Sequence, residues 1–222
     1  MEEQLKAAAK LQSLSHDGAK STPRAPKADL QAAARAIEAF LQALGHPVDS
    51  DPQLRNTSRQ VARAFHEELL CGYAADPAAI LSDSIAASGG DLIIIKDLAI
   101  SCMCPHHLLP ATGVLHLGYL PGERIVGFGA LERLAHALSR RLILQEALCE
   151  QVADALVRHL GARGAGCIAE LQPTCLIARG RRPAHARVVT AATSGVLRDQ
   201  TSLRAEFFAL ASRSEPGSEP RP

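Results

Sequence analysis

The stretch Ser101–Leu109, SCMCPHHLL, sets two thiols and two imidazoles within six positions, from Cys102 to His107. Cys104 and His107 stand three apart, so one tight turn can direct both side chains at a single ion, and Pro105 stiffens that turn. Zinc takes nitrogen and sulfur donors in a tetrahedral array, and a catalytic zinc keeps three protein ligands with the fourth position open. One more donor is therefore needed from elsewhere in the chain. Cys175, in PTCLIARG, is the candidate, with Arg179 close behind it and suited to an anion. Spacing leaves two alternatives open. Cys102 competes for ligation, and a buried cysteine beside a surface histidine pair gives the same local pattern. The second histidine, His106, and the arginine-rich segment after Cys175 favour the metal.

The rest of the chain must position these groups. Its 222 residues fit one domain of ordinary size plus a tail. Hydrophobic residues make up 47% of the chain but aromatics only 3%, with no Trp, so Leu, Ile, Val and Ala must build the core. The 24 Lys+Arg against 23 Asp+Glu leave a net charge of +1, which gives no global reason to expect nucleic acid or an anionic membrane as partner. No apolar run approaches the roughly 20 residues a membrane-spanning helix needs, and the first residues lack the apolar stretch of a secretory signal. The expected location is the cytoplasm. There, six cysteines speak for metal ligation, catalysis or packing rather than a disulfide framework, and Cys71, Cys149 and Cys167 read as buried small hydrophobes.

Periodicity predicts the elements. Residues 1–27 read as a flexible lead-in and 209–222 as a flexible tail, both rich in Pro and polar residues. In the helical region 28–90, Leu30, Ala33, Ile37, Leu41 and Leu44 fall at helical spacing behind Asp29 as cap. A second helix is expected from Ser58 to Leu70, with Thr57 or Ser58 accepting an early backbone N–H. In the domain 91–208, strands are expected at 92–96 and 114–120. Helices follow on Leu131, Leu134, Leu138 and on Leu148, Val152, Leu156, Leu160, forming an antiparallel pair. Further strands are expected at Cys167–Gln172, Thr174–Ala178 and Ala186–Ala192. Runs of strands separated by runs of helices imply an α+β domain with antiparallel pairing.

At CPHHLLP, GYLP, the Gln145-Glu146 pair and TCLIARG, with TSRQVARAFHEELLCGY upstream, the chain resembles the GTP cyclohydrolase I family from about Asp29 to Leu197. That resemblance implies the tunnelling fold, a four-stranded antiparallel sheet with two helices on one face. It also implies a homodecamer with active sites between subunits. It implies Cys104, His107 and Cys175 as zinc ligands and His106 as the catalytic histidine. Glu146 would grip the guanine edge beside Gln145, Arg133 and Arg179 would be triphosphate contacts, and Arg63, standing where the family has a basic residue, would be a further substrate contact. The implied reaction is hydrolytic opening of the guanine imidazole ring of GTP at C8, loss of formate, and rearrangement to dihydroneopterin triphosphate. Without the resemblance, Gln145-Glu146 reads as the polar start of a helix and each arginine as a solvated surface residue.

The chain departs from the family pattern in three places. Pro173 replaces a histidine two positions before the last zinc cysteine, Gly129-Ala130 replaces a Ser-Lys pair, and Pro105 replaces a glutamate. The first removes a proton-transfer group and the second removes a hydroxyl and an ammonium from the triphosphate pocket. Three readings follow. In the first the cyclohydrolase works, with His185 or His116 covering the missing transfer. In the second a diverged relative stops at ring opening or takes another guanine nucleotide. The third is a catalytically silent zinc protein that assembles with an active paralogue.

Overall fold

The computed structural model describes residues 28–48, 50–180, 183 and 185–212. The lead-in expected at 1–27 and the tail from 213 onward lie outside these residues. Helix α1, Leu30–Ala43, opens as anticipated, the Asp29 carboxylate accepting from the Ala32 N–H at 2.9 Å. Helix α2, Thr57–Arg63, continues as a π-helical turn through Ala64–Leu69, but neither Thr57 nor Ser58 caps it. Its N-cap position is Asn56, which makes no side-chain cap bond, and Ser58 is buried. A 3-10 turn at Cys71–Ala74 and the short helix α3, Pro77–Ser82, complete the N-terminal region.

Strands β1, Ser84–Ala86, and β4, Arg124–Val126, form a small antiparallel ribbon. The main sheet has four strands: β2, Ile93–Met103; β3, Pro110–Leu120; β5, Gly164–Pro173; and β6, Val188–Gly195. Its order is β2-β3-β5-β6, and every pairing is antiparallel. The first two strands outrun the short apolar segments that announce them. In β2 a register shift between Ile95 and Leu98 lets pairing resume, with Asp97 at a φ of 57°, and it then runs on to Met103. A bulge of this kind absorbs one extra residue without ending the ladder.

Helices α4, Phe128–Ser139, and α5, Gln145–Ala155, lie against one face of the sheet and against each other. Leu131, Leu134, Leu148, Val152 and Leu156 bury there with Leu115, Leu117 and Tyr119 of β3 and Cys167, Ala169 and Leu171 of β5. An α+β layer of this kind, four antiparallel strands and two helices, is the arrangement the resemblance implies.

Two further expectations fail. The segment Thr174–Ala178 is no strand: Thr174–Ile177 is a single helical turn, α6. β5 ends at Pro173, opposite Ala111 near the first residue of β3, and a proline has no N–H to carry a ladder on. Cys71 is only half-buried, its thiol donating to the Glu68 carbonyl at 3.2 Å, whereas Cys149 and Cys167 are buried as expected.

After the turn α7, Val196–Asp199, an unanticipated helix α8, Thr201–Ala211, crosses the boundary placed at 208. It covers the second face of the sheet with Phe207 and Ala211, against Leu120, Ile168 and Leu197. The Phe207 ring sits over backbone: a Cβ on Gly166 would lie 2.6 Å from its Cε1, and one on Gly118 would lie 3.2 Å from its Cε2. Gly166→Ala should therefore unseat the ring and lower stability by about 1–3 kcal/mol, a fall in Tm of roughly 3–10 °C readable by thermal melting.

Candidate metal centre

The chemistry-bearing turn is the tip of the β2–β3 hairpin. Met103 pairs with Pro110, and the six residues between them close through Cys104 N–H to the Leu109 carbonyl (3.0 Å) and Leu108 N–H to the Cys104 carbonyl (2.9 Å). Leu108 adopts a φ of 52°, which lets the chain reverse immediately after His107. This geometry sets Cys104 Sγ 3.8 Å from His107 Nδ1.

The third group comes from the neighbouring strand. β5 delivers Pro173 beside Ala111, and the Thr174 hydroxyl donates to the Pro110 carbonyl, pinning α6 to the hairpin tip. The next residue is Cys175. The donor atoms of Cys104, His107 and Cys175 all lie within 4.8 Å of one another. A tetrahedral zinc with Zn–S bonds of about 2.3 Å spaces its donors about 3.7 Å apart, so small side-chain adjustments close the set. Two thiols and an imidazole are donors that zinc prefers, and the trio fits it. Burial and the adjacent Cys104 thiol raise the Cys175 pKa, while the Arg179 guanidinium pulls it down. A bound cation would overcome that rise, because coordination favours the thiolate.

Cys102, the competitor for ligation, does not join the trio. It is 3% exposed in the core of β2, and burial, helped by the nearby Cys104, Cys149 and Cys175 thiols and by Glu146, pushes its thiol up to about 11. That is the state of an inert packing cysteine.

The remaining sequence candidates lie on several elements. His106 is exposed, its ring edge-on to His107 with centroids 6.2 Å apart. Glu146 is exposed in the first turn of α5. Gln145 beside it is committed to the sheet: its amide nitrogen donates to the Ala169 and Val188 carbonyls, each at 2.8 Å, bridging β5 and β6. Arg179 is exposed and donates from Nε to the Cys175 carbonyl at 2.7 Å. Arg133 is exposed on α4. Arg63 lies in a groove between α1 and α2 with Arg35, Glu38 and Arg59, and pairs with Glu67 at 3.2 Å.

Of the two histidines proposed to replace the missing proton donor, His116 is not near the tip within this chain. It stands six residues along β3 from Pro110, roughly 20 Å at the rise of a strand. Its Nδ1 accepts the Asp97 N–H at 3.1 Å, and burial lowers its pKa against the upward pull of Asp97 and Glu170. His185 is exposed. Pro173 itself offers no proton, and Ala130, at 4% exposure, is packed under the first turn of α4. The residue missed from sequence is Thr174, whose hydroxyl holds the two halves of the donor set together. Its position one before Cys175 was the available signal.

The family model for GTP cyclohydrolase I matches residues 33–212 of this chain. The chain belongs to the GTP cyclohydrolase I family. GTP cyclohydrolase 1 of Ralstonia nicotianae is 37% identical over 180 residues, covering 81% of this chain and 86% of that protein. GTP cyclohydrolase 1 of Corynebacterium glutamicum is 36% identical over 184 residues, 82% of this chain and 93% of that one. The enzyme of the same name from Campylobacter lari is 34% identical over 177 residues, 79% and 92% of the two chains. The GTP cyclohydrolase I match includes the hairpin tip, the start of α5 and α6 in one continuous span, and it reaches into α8. Among the described residues no helix is long and apolar enough to cross a membrane.

Proposed function

We propose that this chain is a zinc-dependent GTP cyclohydrolase I, which opens the guanine imidazole ring of GTP by hydrolysis and releases formate to give 7,8-dihydroneopterin triphosphate. The observation that carries the reading is the convergence of Cys104, His107 and Cys175 within 4.8 Å, in a chain of this family. Those three residues hold the metal. When bound, zinc supplies Lewis acidity and hydroxide at neutral pH.

Around the metal the side chains divide the remaining work. The Glu146 carboxylate accepts two parallel hydrogen bonds from the guanine ring N–H and exocyclic amine, fixing the base with its five-membered ring toward the hairpin tip. Gln145 anchors the helix that carries Glu146. The exposed imidazole of His106 delivers a proton to the opening ring. Arg133, Arg179 and Arg63 meet the triphosphate, Arg63 after exchanging Glu67 for phosphate oxygen. The exposure of His106, Glu146 and these arginines supports a site completed between subunits of a homo-oligomer, as in the family's decamer. The assembly acts in the cytoplasm, feeds tetrahydrofolate or another pterin, and engages neither nucleic acid nor membrane.

A second reading rests on Pro173 and on the distance of His116. With Pro173 in the place of the family's histidine, the reaction halts at the ring-opened formamide. Gly129-Ala130, short of a hydroxyl and an ammonium, favours a guanine nucleotide with fewer phosphates. The silent paralogue is the remaining alternative. Metal-analysed, zinc-loaded protein is incubated with GTP, then treated with phosphatase and oxidant. Neopterin fluorescence supports the full reaction, and a formamide, or turnover of GMP alone, supports the second reading. Unchanged GTP together with co-purification of a second cyclohydrolase supports the third.

A further inference from the structure

Arg141 is a buried cation that the reaction outlined above does not use. It is 6% exposed, and among the described residues it enters no ion pair with a carboxylate. Two of its three guanidinium nitrogens are instead met by backbone carbonyls. Nε donates to the carbonyls of Ala137 (2.8 Å) and Gly72 (3.2 Å), Nη2 donates to Gly72 (2.9 Å) and Ala75 (3.4 Å), and the guanidinium carbon lies 5.6 Å from the Tyr73 ring centroid. A charge taken out of water is costly unless its donors are used, and only a planar fork serves carbonyls in these directions. The approach is close enough to require glycine: a Cβ on Gly72 would stand 2.3 Å from the Ala137 carbonyl oxygen. The same 3-10 turn takes two further bonds from this loop, Gly72 N–H to the Arg140 carbonyl (3.0 Å) and Leu142 N–H to the Tyr73 hydroxyl (3.2 Å).

The other side of the loop explains what is being held. Met103, the residue before Cys104, donates its N–H to the Arg141 carbonyl at 3.2 Å and accepts the Ile143 N–H at 3.1 Å, a parallel bridge centred on Leu142. Two residues after Ile143 come Gln145, tied to β5 and β6, and then Glu146. The loop therefore links the metal turn directly to the start of α5, and the 3-10 turn at Cys71–Ala74 grips it from behind.

We propose that Arg141 is a positioning residue, clamping the loop 139–144 so that Glu146 stands at a fixed distance from the Cys104–His107–Cys175 donors and thereby setting selectivity for the guanine edge. This rests on the reading of Glu146 as the acceptor of that edge. Arg141 itself touches neither metal nor nucleotide.

The test uses the zinc-loaded full-length protein and two variants, Arg141→Lys and the milder Tyr73→Phe, which removes only the hydroxyl that Leu142 N–H reaches. kcat/KM is measured for GTP and for inosine triphosphate, which lacks the amino group that Glu146 would bind. Arg141→Lys should lower the GTP preference about tenfold or more, because small displacements of a binding group are costly. Tyr73→Phe should lower it less, and both should keep the wild-type zinc content. Hydrogen exchange should quicken at the Met103 and Ile143 amides while the β3–β5 ladder keeps its protection. An unchanged GTP preference, unchanged exchange at those two amides, or exchange that quickens evenly through the sheet would each overturn the clamp. If the wild type itself does not prefer GTP, the reading of Glu146 fails. The exchange pattern then decides separately whether Arg141 holds the loop.

Discussion

Cys175→Ser should abolish turnover of GTP and leave the purified protein with little or no zinc, while its fold persists. Zinc held by a full thiolate and imidazole set is bound by roughly 10–16 kcal/mol, so one ligand of three or four accounts for about 3–4 kcal/mol and its loss weakens binding about 10²–10³-fold. A serine hydroxyl does not replace it, because at neutral pH it stays protonated and is a harder donor. The loss is local. Cys175 is half-buried at the rim of the sheet, and α6 keeps its tie from the Thr174 hydroxyl to the Pro110 carbonyl, so metal-free variant and metal-free parent should melt within a few degrees of each other. Elemental analysis of protein purified without chelators decides the matter. A variant that still carries one equivalent of metal would remove Cys175 from the donor set, and with it the observation on which the proposed reaction stands.

Glu146→Gln should separate base recognition from metal binding. The substitution keeps shape but turns one acceptor into an amide donor, which then faces a donor on the guanine edge. A site built to satisfy hydrogen-bonding groups loses far more from such a mismatch than from a missing methylene. The expected fall in kcat/KM for GTP is about 10³-fold, with zinc content and melting temperature unchanged. Steady-state kinetics on zinc-loaded variant, beside elemental analysis, reads both quantities. A variant as active as the parent would mean that another group reads the base.

The parts of this architecture that sequence made legible are those fixed by local rules. α4 and α5 carry leucines at helical spacing because one stripe of each meets the sheet, and that stripe is nearly continuous in Leu131, Leu134, Leu138 and in Leu148, Val152, Leu156. The donor pair Cys104 and His107 was legible because both lie in one turn. α8 was not, because only Phe207 and Ala211 of its eleven residues are buried, too few to mark a face. The helical turn Thr174–Ile177 was hidden by residues that favour strands, and what overrides them is the end of the ladder at Pro173 with a hydroxyl bond across to Pro110. Arg141 was hidden by distance. Next to Arg140 it reads as one of two solvated arginines, and only contact with Gly72, 69 residues away, makes it a buried fork.

The two margins of the main sheet are unlike. β2 carries Lys96 and Asp97 and is bent at its bulge, features that discourage another strand from lying alongside. β6 reads VVTAATSG, with neither a charge nor a proline, and Val189 is 60% exposed. Such a margin invites extension by any chain that offers a compatible backbone. At high concentration newly made copies of this protein should therefore be prone to pair through β6. Its yield on refolding should respond to concentration and to added charge on β6 more than to the strength of its core.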